Sequence, residues 1–185
     1  MKVLLLKKNG NTFTVEGGAD SAILRLGEPV FVPEPADEWV SCICPAIVID
    51  LLGTHIPEAS ARRHYSRGTL LHLTVPATNG ESPVPPLFID RAVAPGDRVS
   101  LEELGAPIRV TRSSLDSSHA DTLCGPGLTL ALADKAVAFV SRYMTLKTGD
   151  IIAFSDYAIP LGAPVLDTRV TACAADNKCL DIKIK

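Results

Sequence analysis

Cysteine is the most reactive side-chain type in this 185-residue sequence, and two of the five cysteines, Cys42 and Cys44, stand two positions apart. They lie in an apolar run, Val40 to Ile49, whose Ile47-Val48-Ile49 segment is strongly strand-prone. Side chains alternate across a strand, so residues i and i+2 share a face and both sulfurs point one way. Such a pair suits a soft metal ion or thiol redox chemistry, with His64 or His72 approaching in space. It also suits plain packing, because an inert buried cysteine behaves as a small hydrophobe. Zinc in a structural site takes four ligands, and no second cysteine pair here has usable spacing. Packing is therefore the expectation, with Cys173 and Cys179, near the C-terminal end, unrelated to the first pair.

The remaining reactive residues are scattered. His55, His64, His72 and His119 each read as surface or capping residues. Ser113-Ser114 and Ser117-Ser118-His119 bring hydroxyl and imidazole together, but no nucleophile elbow and no orienting acid accompany them, so they read as a polar loop. Asp156 and Asp167 read as loop acids.

The elements that would position these residues are mostly strands. Val3 to Leu6 and Thr12 to Val15 flank an Asn9-Gly10 step, a hairpin signal, with the first run read as an edge strand. Pro57 to Tyr65 reads as a short helix, Pro57 suiting its first turn and Glu58 its positive end. Thr69 to Val75 reads as a strand carrying His72. Pro76 to Pro86 and Ser117 to Gly127 read as loops, and Pro107 to Leu115 alternates weakly. Leu132, Ala136, Phe139, Val140 and Tyr143 recur at helical spacing, with Asp134 as a plausible N-cap. A turn at Lys147-Thr148-Gly149-Asp150 leads into a buried strand, Ile151 to Phe154. Val165 to Ala172 and Leu180 to Ile184 close the list of strands.

Composition narrows the classes. Hydrophobic residues at 46% and charged residues at 21% describe a globular chain of one-domain size. Fourteen prolines and thirteen glycines favour a turn-rich β domain over a helical bundle. A net charge of -3 argues against nucleic acid, and no apolar run is long enough to span a bilayer. Lys7-Lys8-Asn9-Gly10 interrupts the opening apolar run too soon for a signal peptide. An odd number of irregularly spaced cysteines fits reduced thiols and a cytoplasmic setting.

Several phrases resemble the fumarylacetoacetate hydrolase family. The strongest is VSRYMTLKTGDII, from Val140 to Ile152. DSAILR at Asp20, AIVIDLLGTHIPEASARRHYS from Ala46 to Ser66, and GDRVSLEELG from Gly96 follow in the family's order. The resemblance covers residues 20–185, with a shortened Pro76 to Pro86 loop, and leaves residues 1–19 as an N-terminal hairpin extension of a single domain. It implies a mainly β, β-rich α+β fold: a mixed sheet roll or sandwich like the family's C-terminal domain, with a few short helices. It also implies a Mg²⁺ or Ca²⁺ ion held by a Glu-x-Glu pair and a third acid. Hard cations take oxygen ligands, and the ion would polarise a small 2-oxo or acylpyruvate-type acid.

Carried over position by position, the resemblance places the Glu-x-Glu pair on Cys42 and Cys44 and the third acid on Leu73. A pocket lysine falls on Pro86, and the segment that closes the pocket falls on Phe154-Ser155-Asp156-Tyr157. The family's lid histidine has no counterpart. The expectation is a scaffold kept and a hard-metal site replaced. That describes a non-catalytic homologue with no cofactor, acting as a homodimer or beside an active paralogue, with a small oxo-acid as a possible ligand. Two alternatives stand beside it. One is an active hydrolase, decarboxylase or isomerase using Mg²⁺ or Ca²⁺ with acids such as Asp156 or Glu81. The other is a thiol-based metal or redox site at Cys42 and Cys44.

Overall fold

A computed structural model describes residues 1–32, 38–77, 86–114 and 120–185. The first two strands, β1 (Val3–Asn9) and β2 (Thr12–Gly17), form the expected hairpin, with Gly10 at φ +60° in its turn. β1 is not an edge strand. Its far side pairs in parallel with β9 (Ile151–Phe154), Val3 opposite Ile151. Val3, Leu4 and Leu6 are all buried, the two-faced pattern of a strand inside a sheet, so β2 is left at the margin.

At the centre of this sheet β3 (Trp39–Val48) runs antiparallel to β4 (Arg67–Pro76). The other side of β3 is shared by two strands: β9 pairs with Ala46 to Val48, and β10 (Ile159–Gly162) with Ser41 to Ile43. Pro45, which has no N–H to give a ladder, falls in the gap between them. Short strands β5 (Val93–Pro95) and β6 (Val99–Ser100) complete the sheet by pairing with β4. The order is β2-β1-β9-β3-β4-β5, with β10 and β6 beside β3 and β4.

The second sheet has the order β12-β11-β7-β8, built from β7 (Ile108–Ser114), β8 (Ala120–Gly125), β11 (Thr168–Ala174) and β12 (Asn177–Ile184). β8 lies where a loop was expected. Most of its residues are exposed, so it carries no apolar alternation, and its backbone pairing with β7 makes it a strand.

Helix α1 (Leu101–Gly105) is held by a capping box, in which Ser100 accepts from the Glu103 N–H and Glu103 from the Ser100 N–H. The helix before the β9 turn is α2 (Leu130–Val140), entered from Thr129. Asp134 is therefore inside the helix and not its cap. Its carboxylate is engaged from outside, by Arg62 and Tyr65. Those two belong to the segment expected as a helix from Pro57; it is a 3₁₀ segment, Glu58–His64. Gly149, at φ +90°, makes the turn into β9.

Two apolar clusters result. One fills the space between the sheets, with Ile43, Ile47 and Leu70 from the large sheet, Val110, Val170 and Ala172 from the small one, and Ala136, Val137 and Val140 from α2. The other lies on the opposite face of the large sheet, where Cys44, Ala46, Val48, Leu71 and Leu73 are covered by Ala22 and Leu87. No helix among the described residues is long and apolar enough to cross a membrane.

Candidate functional site

Strand register decides what surrounds the two cysteines. Cys42 lies opposite Leu73 on β4, and Cys44 opposite Leu71. The three positions that the resemblance assigns to acidic ligands are thus neighbours on one sheet face. The Cys42 and Cys44 sulfurs are 3.8 Å apart. Cys44 and Leu73 are buried and Cys42 is partly buried, packed with Val93 of β5 and with Leu87. Leu87 arrives on the 3₁₀ turn Pro86–Phe88, which brings the fourth assigned position next to the same cluster.

The donor set here is two thiols and an isobutyl group. Mg²⁺, Mn²⁺ and Ca²⁺ demand several hard oxygens, so these residues do not fit such an ion. Among the described residues, no group of three or more His, Cys, Asp or Glu side chains converges at any point. The hydrogen bond to Cys42 and burial together push the Cys44 thiol above its ordinary pKa, which keeps it protonated.

Other assigned positions lie elsewhere. On β9, Phe154 turns into the cluster between the sheets, while Ala153 joins the cysteine face. Asp156 is exposed on the 3₁₀ turn Ser155–Tyr157, where its carboxylate accepts the Lys8 N–H at 2.6 Å. It borders an open cleft of about 1230 Å³ between the β1–β2 hairpin and α2, shared with Phe13, Glu58, Lys135 and Arg142. Cys173 and Cys179 belong to the second sheet, where burial raises the Cys179 thiol to about 11. All five cysteines are free thiols. Asp167, at φ +55°, is an exposed turn residue whose N–H bonds to the Ile184 carbonyl. His55 is exposed, and the His64 Nδ1 lies 3.0 Å from the Leu51 carbonyl. Glu81, Ser117, Ser118 and His119 are outside the described residues.

His72 departs from its expected surface role. It is fully buried on β4, opposite Ile43 and therefore on the face away from the cysteines. Neither ring nitrogen has a hydrogen-bond partner among the described residues, nor does the Thr74 hydroxyl two positions on. Burial lowers the His72 pKa to about 4, so the ring is neutral at pH 7. Ser41, opposite Thr74, is also buried and reaches the Gly162 carbonyl at 3.4 Å. A signal for this burial was present: Leu70-Leu71-His72-Leu73 is apolar on both sides of the histidine, the mark of a strand covered on both faces.

No family model matches the chain, and no curated protein does. Solved structures do. A fumarylacetoacetate hydrolase family protein of Yersinia pestis superposes with a TM-score of 0.76 at 13% identity, over 100% of this chain and 93% of that one. The 5-carboxymethyl-2-hydroxymuconate delta-isomerase of Mycobacterium smegmatis gives 0.72 at 16% identity, over 99% and 78%. The fumarylpyruvate hydrolase of Pseudomonas aeruginosa, solved with Mn²⁺ and pyruvate, gives 0.70 at 12% identity, over 100% and 89%. Likeness at such low identity is likeness of fold, and on that ground the chain carries the fold of the fumarylacetoacetate hydrolase family.

Proposed function

We propose that this chain is a divergent member of that family which does not perform its metal-dependent chemistry and serves as a cytoplasmic binding or structural protein, paired with itself or with an active paralogue. One observation carries the reading. The positions assigned to three carboxylates hold Cys42, Cys44 and Leu73, side by side within an apolar cluster. A hard cation there would have no anionic oxygens to replace its hydration shell, and a developing enolate would have no Lewis acid. The three positions are neighbours on one sheet face, which supports the mapping. Ligand recognition in such a protein falls to the cleft beside α2, where Lys135 and Arg142 suit the carboxylate of a small oxo-acid.

The test is direct. Purified protein is incubated with fumarylpyruvate or a simpler acylpyruvate in the presence of Mg²⁺ or Mn²⁺, and loss of the diketo acid is followed. No turnover above buffer is expected. Metal-dependent turnover abolished by a chelator would overturn the reading.

A second reading, an active enzyme with a rebuilt acidic site, draws support from Asp156 and Glu58 bordering one cleft. It requires turnover in the same assay, and loss of that turnover in Asp156→Asn.

A further inference from the structure

The Cys42–Cys44 pair has a property that packing alone does not require: its two sulfurs lie within 3.8 Å of each other on one face of a rigidly paired strand. Metal–sulfur bonds of about 2.3 Å place two sulfurs of one ion about 3.8 Å apart at a tetrahedral angle and about 4.6 Å apart when linear. At 3.8 Å the pair matches the tetrahedral spacing, and a linear two-coordinate ion needs the sulfurs to part by about 0.8 Å, a change within reach of side-chain rotation without backbone movement.

A disulfide fits less well. Consecutive residues on a strand rise about 3.3 Å, so the Cα atoms of residues i and i+2 are about 6.6 Å apart, near the upper limit for a disulfide. The sulfurs would also have to close to about 2.05 Å. Both neighbours resist that change, because β4 holds Cys42 against Leu73 and Cys44 against Leu71, and β10 holds Cys42 against Pro160.

Coordination number selects the ion further. Among the described residues no third His, Cys, Asp or Glu joins the two sulfurs, and their surroundings are Leu71, Leu73, Leu87 and Val93. Zinc in structural sites takes four ligands and is poorly served. A soft monovalent ion is satisfied by two thiolates and prefers them to water or carboxylate. Cys42 is only partly buried, which leaves a way in from solvent, whereas Cys44 is closed off.

We propose that Cys42 and Cys44 form a two-sulfur site for a soft monovalent cation of the Cu(I) or Ag(I) class. The inference rests on the reading that this strand no longer cages a hard cation. On binding, two S–H bonds break, two metal–sulfur bonds form, and two protons leave to solvent for each ion taken up. No electron is transferred. Because protons are released, affinity rises with pH, up to a hundredfold per unit while both thiols are protonated.

The experiment titrates the whole reduced protein anaerobically with Ag(I), and with Cu(I) against a chromophoric Cu(I) chelator. One tight ion per chain is expected, with affinity that climbs with pH. Cys42→Ser and Cys44→Ser should each weaken that binding at least a hundredfold, while Cys124→Ser and Cys173→Ser leave it in place. X-ray absorption of the loaded wild-type protein should show two sulfur neighbours and no nitrogen, and this measurement stands even if a cysteine variant fails to fold. Binding that survives both Cys42→Ser and Cys44→Ser, binding that follows Cys124 or Cys173, or no uptake below the unfolding transition would each overturn the proposal. Hard-metal turnover in the acylpyruvate assay would instead sink the non-catalytic reading, so the two failures are distinguishable.

Discussion

The Tyr65 hydroxyl donates a 2.6 Å hydrogen bond to Asp134 Oδ1, tying the chain after the 3₁₀ segment to the middle of α2. Arg62 adds two bonds to the same carboxylate, from Nε at 3.1 Å and Nη2 at 2.8 Å. The Arg62 pair is partly exposed and so contributes little by itself. Tyr65 is 1% exposed, and its remaining acceptor, the Leu130 carbonyl, is 3.4 Å away. Asp134→Ala should therefore cost about 2 kcal/mol, mostly because the phenol O–H loses its short acceptor while its oxygen keeps only the bond from Arg62 Nε at 3.0 Å. Urea denaturation of Asp134→Ala, Tyr65→Phe and the double variant checks this. The two losses should fall short of additive by about 1 kcal/mol, and full additivity would show that the contact is energetically idle.

Asp150 presents a more buried case. Its carboxylate, on a residue 1% exposed, accepts from the Lys2 and Lys147 backbone N–H groups and pairs with the Lys2 ammonium. These contacts fasten the start of β1 to the turn ahead of β9. Asp150→Ala is expected to cost about 3 kcal/mol and to raise hydrogen exchange in β1 and β2 before the rest of the large sheet. Uniform loss of protection across both sheets would refute that local picture.

His72 makes stability depend on pH in a definite direction. Its folded-state pKa of about 4 lies below the ordinary 6.5, so the unfolded chain binds the proton more readily. The stability associated with the neutral ring is complete above about pH 6.5 and is lost as pH falls from there through about 4, by roughly 3 kcal/mol in total. His72→Leu should flatten this part of the curve and be the more stable protein at pH 4.5. Urea midpoints of both proteins at several pH values provide the measurement, and parallel curves would contradict the assignment.

Divalent metals supply a further check, because a ligand that binds only the folded state raises the melting temperature. Neither Mg²⁺, Mn²⁺ nor a chelator should move the melting temperature of the wild-type protein. The triple variant Cys42→Glu, Cys44→Glu, Leu73→Asp puts three carboxylates on the same face of β3 and β4. It should melt lower than wild type, since three like charges crowd one largely buried face, and Mn²⁺ should recover part of the loss. Failure of Mn²⁺ to act on a folded variant would count against the positional correspondence.

Much of the architecture was legible because its signals are local. Asn9-Gly10 announces the first hairpin, and Gly149 supplies the positive φ that turns α2 toward β9. Strand β8 was not legible, since an exposed strand has no apolar rhythm and exists through pairing with β7. Helix α1 was missed although Ser100 and Glu103 spell a capping box, because five residues are too few for a helical period to show. Asp134 looked like a cap because carboxylates favour helix starts, yet its partners, Arg62 and Tyr65, are some seventy residues away.

The amino-acid sequence alone determined that Cys42 and Cys44 share a face, because alternation along a strand is a property of the backbone. It equally determined a β-rich chain, and a resemblance that assigns Cys42 and Cys44 to positions where the family carries carboxylates. Only the tertiary structure decided that Leu73 lies against Cys42, that Phe154 and His72 turn to the opposite core, and that Asp156 borders a separate cleft. Register between strands, and the face each strand offers to a second layer, arise from packing between segments distant in the chain, which no local pattern encodes.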